Sequence, residues 1–180
     1  MNNKASIVFS LLALSAPLAI AQSIEDIVNF RQYSDRFASA GQPTEAQLEQ
    51  VRDAGFERII YIAFSNDRNA IANEDRLVRD LGMDYVQIPV VWSAPTLADF
   101  ESFAAVMQRD PEQKTLLHCQ VNFRASAFAF LYRVLYEGVA VADAKADMDS
   151  VWSPDDTWRN LIFEVLETNG IAVDCDGCGW

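Results

Sequence analysis

Apolar and polar positions alternate along this chain in two rhythms. Short apolar runs bounded by turn residues read as strands; apolar residues three and four apart read as helices. After a short helix predicted over Ser23 to Phe30, Arg36 to Ala40 forms a brief strand, and the turn GQPT leads to an amphipathic helix. Thr44 and Gln47 have capping-box spacing, and Gly55 ends that helix. RIIYIAF, Arg58 to Phe64, is a compact apolar run suited to a buried strand. The polar loop SNDRNA precedes a helix over Glu74 to Leu81, which Gly82 closes. Tyr85 to Val91 is the next strand, and Thr96 caps a helix to Arg109 with Asp99 in its first turn. KTLLHC, Lys114 to Cys119, is another strand, followed by a strongly apolar helix from Arg124 to Tyr136 that Gly138 stops. Two helices remain, Val141 to Ser150 and Pro154 to Leu166, the latter with Ser153 as N-cap and Pro154 at the first helical position.

Strands alternating with helices imply βαβ units, hence an α/β fold with a central, mostly parallel sheet flanked by helices. No repeat or Pro/Gly-rich linker divides the chain, so residues 22–170 read as one domain and 171–180 as a tail carrying CDGC. The first 21 residues read differently. A lysine, an apolar run from Ala5 to Ala16 and small residues at Ala19–Ala21 form a secretory signal peptide. The run is too short and proline-interrupted for a membrane span, so the mature protein is expected to be periplasmic or secreted, without stable membrane association.

Charge narrows the partners. Asp and Glu number 26 against 14 Lys and Arg, for a net charge of -12. That balance repels nucleic acid and anionic lipid, yet a local cradle can still hold an anionic substrate. In an oxidising compartment, Cys175 and Cys178 are close enough in sequence for a small disulfide, and Cys119 is left over. The C-terminal pair supplies only half of a tetrahedral zinc site, and the sole histidine precludes a multi-histidine one, so no metal or cofactor is expected.

The densest chemistry is HCQVNFRAS, His118 to Ser126. Cys119 falls where a central strand ends and a helix begins, and in open α/β sheets ligands bind beyond the carboxyl ends of strands. The backbone N–H groups of Gln120, Val121, Asn122 and Phe123, with the first helical turn, lack helical acceptors and form an anion cradle. Arg124 can grip two oxygens of an oxyanion, and together they favour the nucleophilic thiolate of Cys119. The structural alternative is a buried cysteine beside an arginine paired to an acid.

HCQVNFRAS resembles the cysteine-phosphatase signature, in which HC is followed by a loop, an arginine and a hydroxyl residue. SDRFASAGQPTEAQLEQVRDAGFERIIYIAF and GMDYVQIPV extend the resemblance to bacterial protein-tyrosine-phosphatase-like proteins, including the phosphatase-like domain of β-lactamase-hydrolase-like proteins. It runs from Ser34 to beyond Trp158. It implies a dual-specificity-phosphatase-like fold, with Cys119 as nucleophile, Arg124 as oxyanion clamp, Ser126 as the hydroxyl assisting thiolate release, and His118 ordering the loop. The implied reaction is phosphoester hydrolysis through a cysteinyl-phosphate, on an anionic small molecule or phosphorylated substrate.

Three departures bear on that reading. Four residues separate Cys119 from Arg124 instead of the family's five, and one residue at a helix start turns a side chain by about 100°. Which way Arg124 faces is left open, while Ser126 keeps the family spacing. Asn122 replaces a loop glycine, and Asn is the residue that best tolerates positive φ after Gly. PVVWSAP, where the family's general acid belongs, has no carboxylate. Asp99 and Asp155, with its neighbour Asp156, are candidate substitutes, although first-turn acids ordinarily stabilise helix N-termini. The shorter loop also resembles that of rhodanese-type sulfurtransferases, which implies transfer through a Cys119 persulfide. A non-catalytic domain binding anionic or phosphorylated ligands is the third reading.

Overall fold

The computed structural model describes residues 23–175 and 178–180, so the signal-peptide segment lies outside the described residues. Its strands are β1 (Arg31–Gln32), β2 (Phe37–Ala40), β3 (Arg58–Tyr61), β4 (Asp84–Gln87) and β5 (Thr115–His118). They form one sheet in the order β1-β2-β5-β3-β4. All pairings are parallel except that of β1 with β2. The expected mostly parallel α/β sheet is therefore present; β1, too short to show a period, is an addition.

Each face of the sheet carries its own helices: α1 (Glu45–Asp53), α2 (Glu74–Asp80), α3 (Leu97–Arg109), α4 (Phe123–Tyr136), α5 (Val141–Asp149) and α6 (Asp156–Thr168). Strand alternation sorts the apolar side chains. Ala38, Ile59 and Leu116 join Leu48 and Val51 of α1 and Val78 of α2 in one core. Phe37, Ile60 and Leu117 join Phe100 and Phe103 of α3, Phe128 of α4 and Trp158 of α6 in the other. β3 and β5 lie inside the sheet and are buried at every position, which is why RIIY and TLLH read as continuous apolar runs.

Local signals set most boundaries. Thr44 and Gln47 close the box at α1, as Thr96 and Asp99 do at α3. Gly55, Gly82 and Gly138 follow helix ends with φ of 82°, 83° and 69°, the left-handed backbone that favours glycine. Two expectations need correction. The predicted helix over Ser23 to Phe30 is only a 3-10 turn, Ile24–Asp26, because Asn29 takes φ 52° and the chain turns into β1. The last helix is capped by Asp155, whose carboxylate accepts from Trp158 N at 3.0 Å; Ser153 and Pro154 stand outside it. In the C-terminal tail, the Trp180 ring meets Phe130 and Phe163, and its indole donates to Val173 O at 2.9 Å. Cys175 and Cys178 are joined as a disulfide.

Candidate active site

Register places the site. Ala40 of β2 and Tyr61 of β3 both pair with His118 of β5, so three parallel strands end side by side. Both neighbours pin the end of β5: Cys119 N donates to Ala40 O at 3.3 Å, and Ile62 N donates to His118 O at 2.9 Å. The chain then turns through Gln120 and Val121 into α4. Asn122 sits at the helix start with φ 71°, the left-handed conformation anticipated for a residue standing in for glycine.

The turn is fastened from behind. Gln42 N donates to Gln120 O at 3.1 Å, and Gly41 forms a bridge with Val121. Asn29 and Asn122 clasp each other's segments: Asn122 Nδ2 donates to Asn29 O at 2.6 Å, and Asn29 Nδ2 to Val121 O at 2.9 Å. With its side chain so used, Asn122 gives α4 no cap. The first helical bond is Ser126 N to Asn122 O at 2.8 Å, which leaves the amides of Phe123, Arg124 and Ala125 without helical acceptors. A fixed turn opening an uncapped 14-residue helix presents preorganised N–H donors that can hold an anion.

A pocket of about 430 Å³ opens there, lined by Trp92, Cys119, Gln120, Val121, Phe123 and Arg124. The short loop therefore brings Arg124 to the same pocket as Cys119. Cys119 is a free thiol, almost wholly buried at this pocket's wall. Three buried arginines make an informative contrast. Arg58 donates to Thr115 Oγ1 and to the Val106 and Asp110 carbonyls; Arg133 pairs with Asp147 at 2.6 Å. Arg124 is 7% exposed, its Nε has no hydrogen-bond partner, and no carboxylate among the described residues lies within salt-bridge distance. With no internal counter-charge and an open pocket beside it, Arg124 could pair with an anion entering from outside.

Aromatic side chains wall the pocket. Trp92 occupies the stretch without a carboxylate, and its ring stands 5.5 Å from the Arg124 guanidinium. Trp158, fully buried, holds Trp92 by donating from Nε1 to Trp92 O at 3.1 Å. Trp152 stacks on Phe123 at 4.9 Å and 6°. Its indole donates to Ser126 Oγ at 3.1 Å, and that hydroxyl donates to Phe123 O at 3.1 Å. Ser126 is thus held by two neighbours other than Cys119.

Both candidate acids are occupied as caps. Asp99 Oδ2 accepts from the N and Oγ1 of Thr96 at 2.9 and 2.8 Å, and Asp155 caps α6. Asp156 pairs with Arg159. None of the three lines the pocket. Among the described residues, no cluster of three or more His, Cys, Asp or Glu could hold a metal ion.

His118 is sealed behind the loop, stacked on Tyr61 at 4.7 Å and 19°. Burial pushes it down to about 3, against a smaller opposing pull from the nearby Cys119 main chain, which stands outside hydrogen-bond geometry, so it is neutral across the ordinary range. Its Nε2 lies 3.3 Å from Glu74 Oε1, without hydrogen-bond alignment. Burial pushes Glu74 up to about 7, with the Gln42 hydrogen bond opposing.

Asn29, Gly41, Gln42, Glu74, Trp92 and Trp152 all shape the site, and their sequence signals were weak. GQPT read simply as a turn, and Glu74 only as the start of a helix. Asn29 lies 93 residues from Asn122 in sequence, beyond the reach of any local pattern.

A strand–turn–helix carrying a free cysteine, beside an arginine with no acidic partner among the described residues, has on this sheet the form of a cysteine-phosphatase-type domain. The chain belongs to the family described as DSP-PTPase phosphatase fused to NAD+ kinase, whose model matches residues 10–159. It is 32% identical to a DUF442 protein of Shewanella putrefaciens CN-32, provisionally assigned as a phosphatase; the match covers 81% of this chain and 96% of that one, with TM-score 0.73. Tk-PTP in its active form matches at 14% identity over 77% of this chain and 97% of its own, with TM-score 0.68. PTPMT1 in complex with PI(5)P matches at 13% over 78% and 96%, with TM-score 0.67. These last two show the fold. No curated protein matches the sequence.

Proposed function

We propose that the protein is a cysteine-dependent phosphatase acting on anionic, phosphorylated substrates through a cysteinyl-phosphate at Cys119. The observation that carries this reading is Arg124, nearly buried and without a counter-charge among the described residues, lining one pocket with the free Cys119 thiol. A substrate phosphoryl group would replace the missing anion, gripped by Arg124 and by the amides of Gln120 to Phe123 and the first turn of α4. Sulfur attack on phosphorus forms the S–P bond as the P–O bond to the leaving group breaks. Water then cleaves the S–P bond, returning the thiolate and releasing inorganic phosphate.

Since Asp99 and Asp155 serve as caps, the leaving oxygen departs without a side-chain acid at the pocket. That omission ordinarily forgoes about a hundredfold in rate or more, so turnover is slow and favours leaving groups stable as anions. Export to the periplasm or outside the cell is part of the same proposal, resting on residues 1–21. Purified mature protein and Cys119→Ser should be assayed with an aryl phosphate, and separately with thiosulfate plus cyanide. Cysteine-dependent phosphate release supports the reading. Thiocyanate production without phosphate release would replace it with persulfide chemistry, and sulfate binding with neither activity would leave a binding domain.

A further inference from the structure

Buried polar atoms without partners concentrate at one place outside the pocket. Glu74 Oε2, both ring nitrogens of His118 and Gln42 Oε1 have no hydrogen-bond partner, and all belong to three touching side chains. Glu74 and His118 are 4% and 0% exposed, and Glu74 reaches solvent only through a cavity of about 160 Å³ that it lines with Tyr61 and Tyr85. Glu74 Oε1 is the hub, 2.9 Å from Gln42 Nε2 and 3.3 Å from His118 Nε2.

Each partner leads to the anion loop. His118 immediately precedes Cys119, while the main chain of Gln42 holds the Gln120 carbonyl. Holding that carbonyl toward Gln42 keeps the same turn's amides available to the pocket.

We propose that Glu74 is a positioning residue for the anion loop, holding Gln42 and His118 in place while its carboxyl is protonated and loosening them when it ionises. The inference rests on the anion-site reading given above. Its physical basis is the cost of a carboxylate shut away from bulk water. Protonated, Glu74 offers a donor to an imidazole nitrogen and adds no net charge. Ionised, it faces a neutral imidazole with Gln42 as its one side-chain donor, and hydration from the adjoining cavity competes with those contacts. The side chains around it offer no rescue. Tyr61 from β3 and Tyr85 from β4 are held in their neutral forms by burial, and Asp75 on α2 repels. Arg79 is committed to Asp75 at 3.1 Å, and Asp67 in the loop after β3 adds negative charge near Tyr61. Cys119 and Arg124 lie on the far side of His118, toward the pocket. Burial of Glu74 places its titration near neutrality, within a physiological range.

The test uses sulfate, whose charge is constant from about pH 6 to 8.5, read by tryptophan fluorescence since Trp92 stands over Arg124. Cys119→Ser provides the background, which removes the thiol's own titration. Sulfate should bind about tenfold more weakly at the upper pH, within the range by which two coupled sites ordinarily influence each other. Adding Glu74→Gln, an uncharged isostere, should preserve the low-pH affinity and abolish the pH dependence. A purely structural role would change stability and leave that profile in place. Undiminished pH dependence in the double variant, or a flat profile in Cys119→Ser, would overturn the proposal alone. No sulfate binding at any pH would overturn the anion-site reading and this inference with it. Because His118 is the only histidine, its imidazole ¹⁵N signals in unmutated protein give a second readout should Glu74→Gln fail to fold. They should show an inflection near neutrality while the ring stays neutral; no inflection would refute the coupling.

Discussion

Gly41 is a glycine for want of space, and Gly41→Ala tests how the loop is held. A Cβ there would meet Val28 Cβ at 2.9 Å and the carbonyl oxygens of Gln120 and Val28 both at 3.0 Å. Two of those three atoms are backbone, and one belongs to the anion loop, so no side-chain rotation relieves the clash. Either the segment at Val28 or the turn after Cys119 must move by several tenths of an ångström. Overpacking of this kind costs about 1–3 kcal/mol. Urea denaturation should show a lower midpoint with unchanged slope. A displaced Gln120 carbonyl also misaims the neighbouring amides, so cysteine-dependent phosphate release should drop on the order of tenfold even where the variant is fully folded. A variant as stable and as active as the parent would refute the idea that backbone contact between Gly41 and the loop sets the cradle.

His118 enters the fold neutral, with its folded value lowered from 6.5 to about 3. Its contribution is therefore present above the ordinary histidine value and lost as pH falls through about 3, up to about 5 kcal/mol, and His118→Gln should flatten that acid limb in denaturation measured across pH. Because Trp152 and Phe123 hold the Ser126 hydroxyl, Ser126→Ala should change turnover little. Trp152→Phe removes one donor while keeping the stacked ring, costs about 1 kcal/mol, and should make turnover depend on Ser126; equal sensitivity in both backgrounds would refute this. With caps where acids were sought, rates across a series of aryl and alkyl phosphates should fall steeply with leaving-group basicity, by about a hundredfold or more; a shallow dependence would reveal an acid.

Much of the architecture was written in local pattern. RIIY and TLLH are legible because both faces of an interior parallel strand are buried, and Thr44, Thr96, Gly55, Gly82 and Gly138 are legible because capping is a short-range matter. Asn122 was readable from one property, its tolerance of positive φ. The segments that escaped are those governed by distant contacts. The turn at Asn29 overrides a helical pattern because its side chain serves Val121, and Trp180 docks on α4 and α6 because those helices leave an apolar seat. Asp155 displaced Ser153 as cap, a shift of two residues that pattern does not resolve. Cys119, Arg124 and the loop amides came from motif and chemistry. Whether Arg124 faced the pocket hung on a single residue of spacing, and only coordinates answer that. Glu74 and Gln42 reach the site through the sheet's register, which has no sequence period.

The most direct measurement is to trap the covalent intermediate. Mature protein mixed with an aryl phosphate, quenched in acid and mapped by peptide mass should yield the peptide containing Cys119 heavier by one phosphoryl group, and Arg124→Ala should abolish it. Phosphate release with the phosphoryl group on another residue, or with full activity retained in Cys119→Ser, would contradict a nucleophilic thiol at this site.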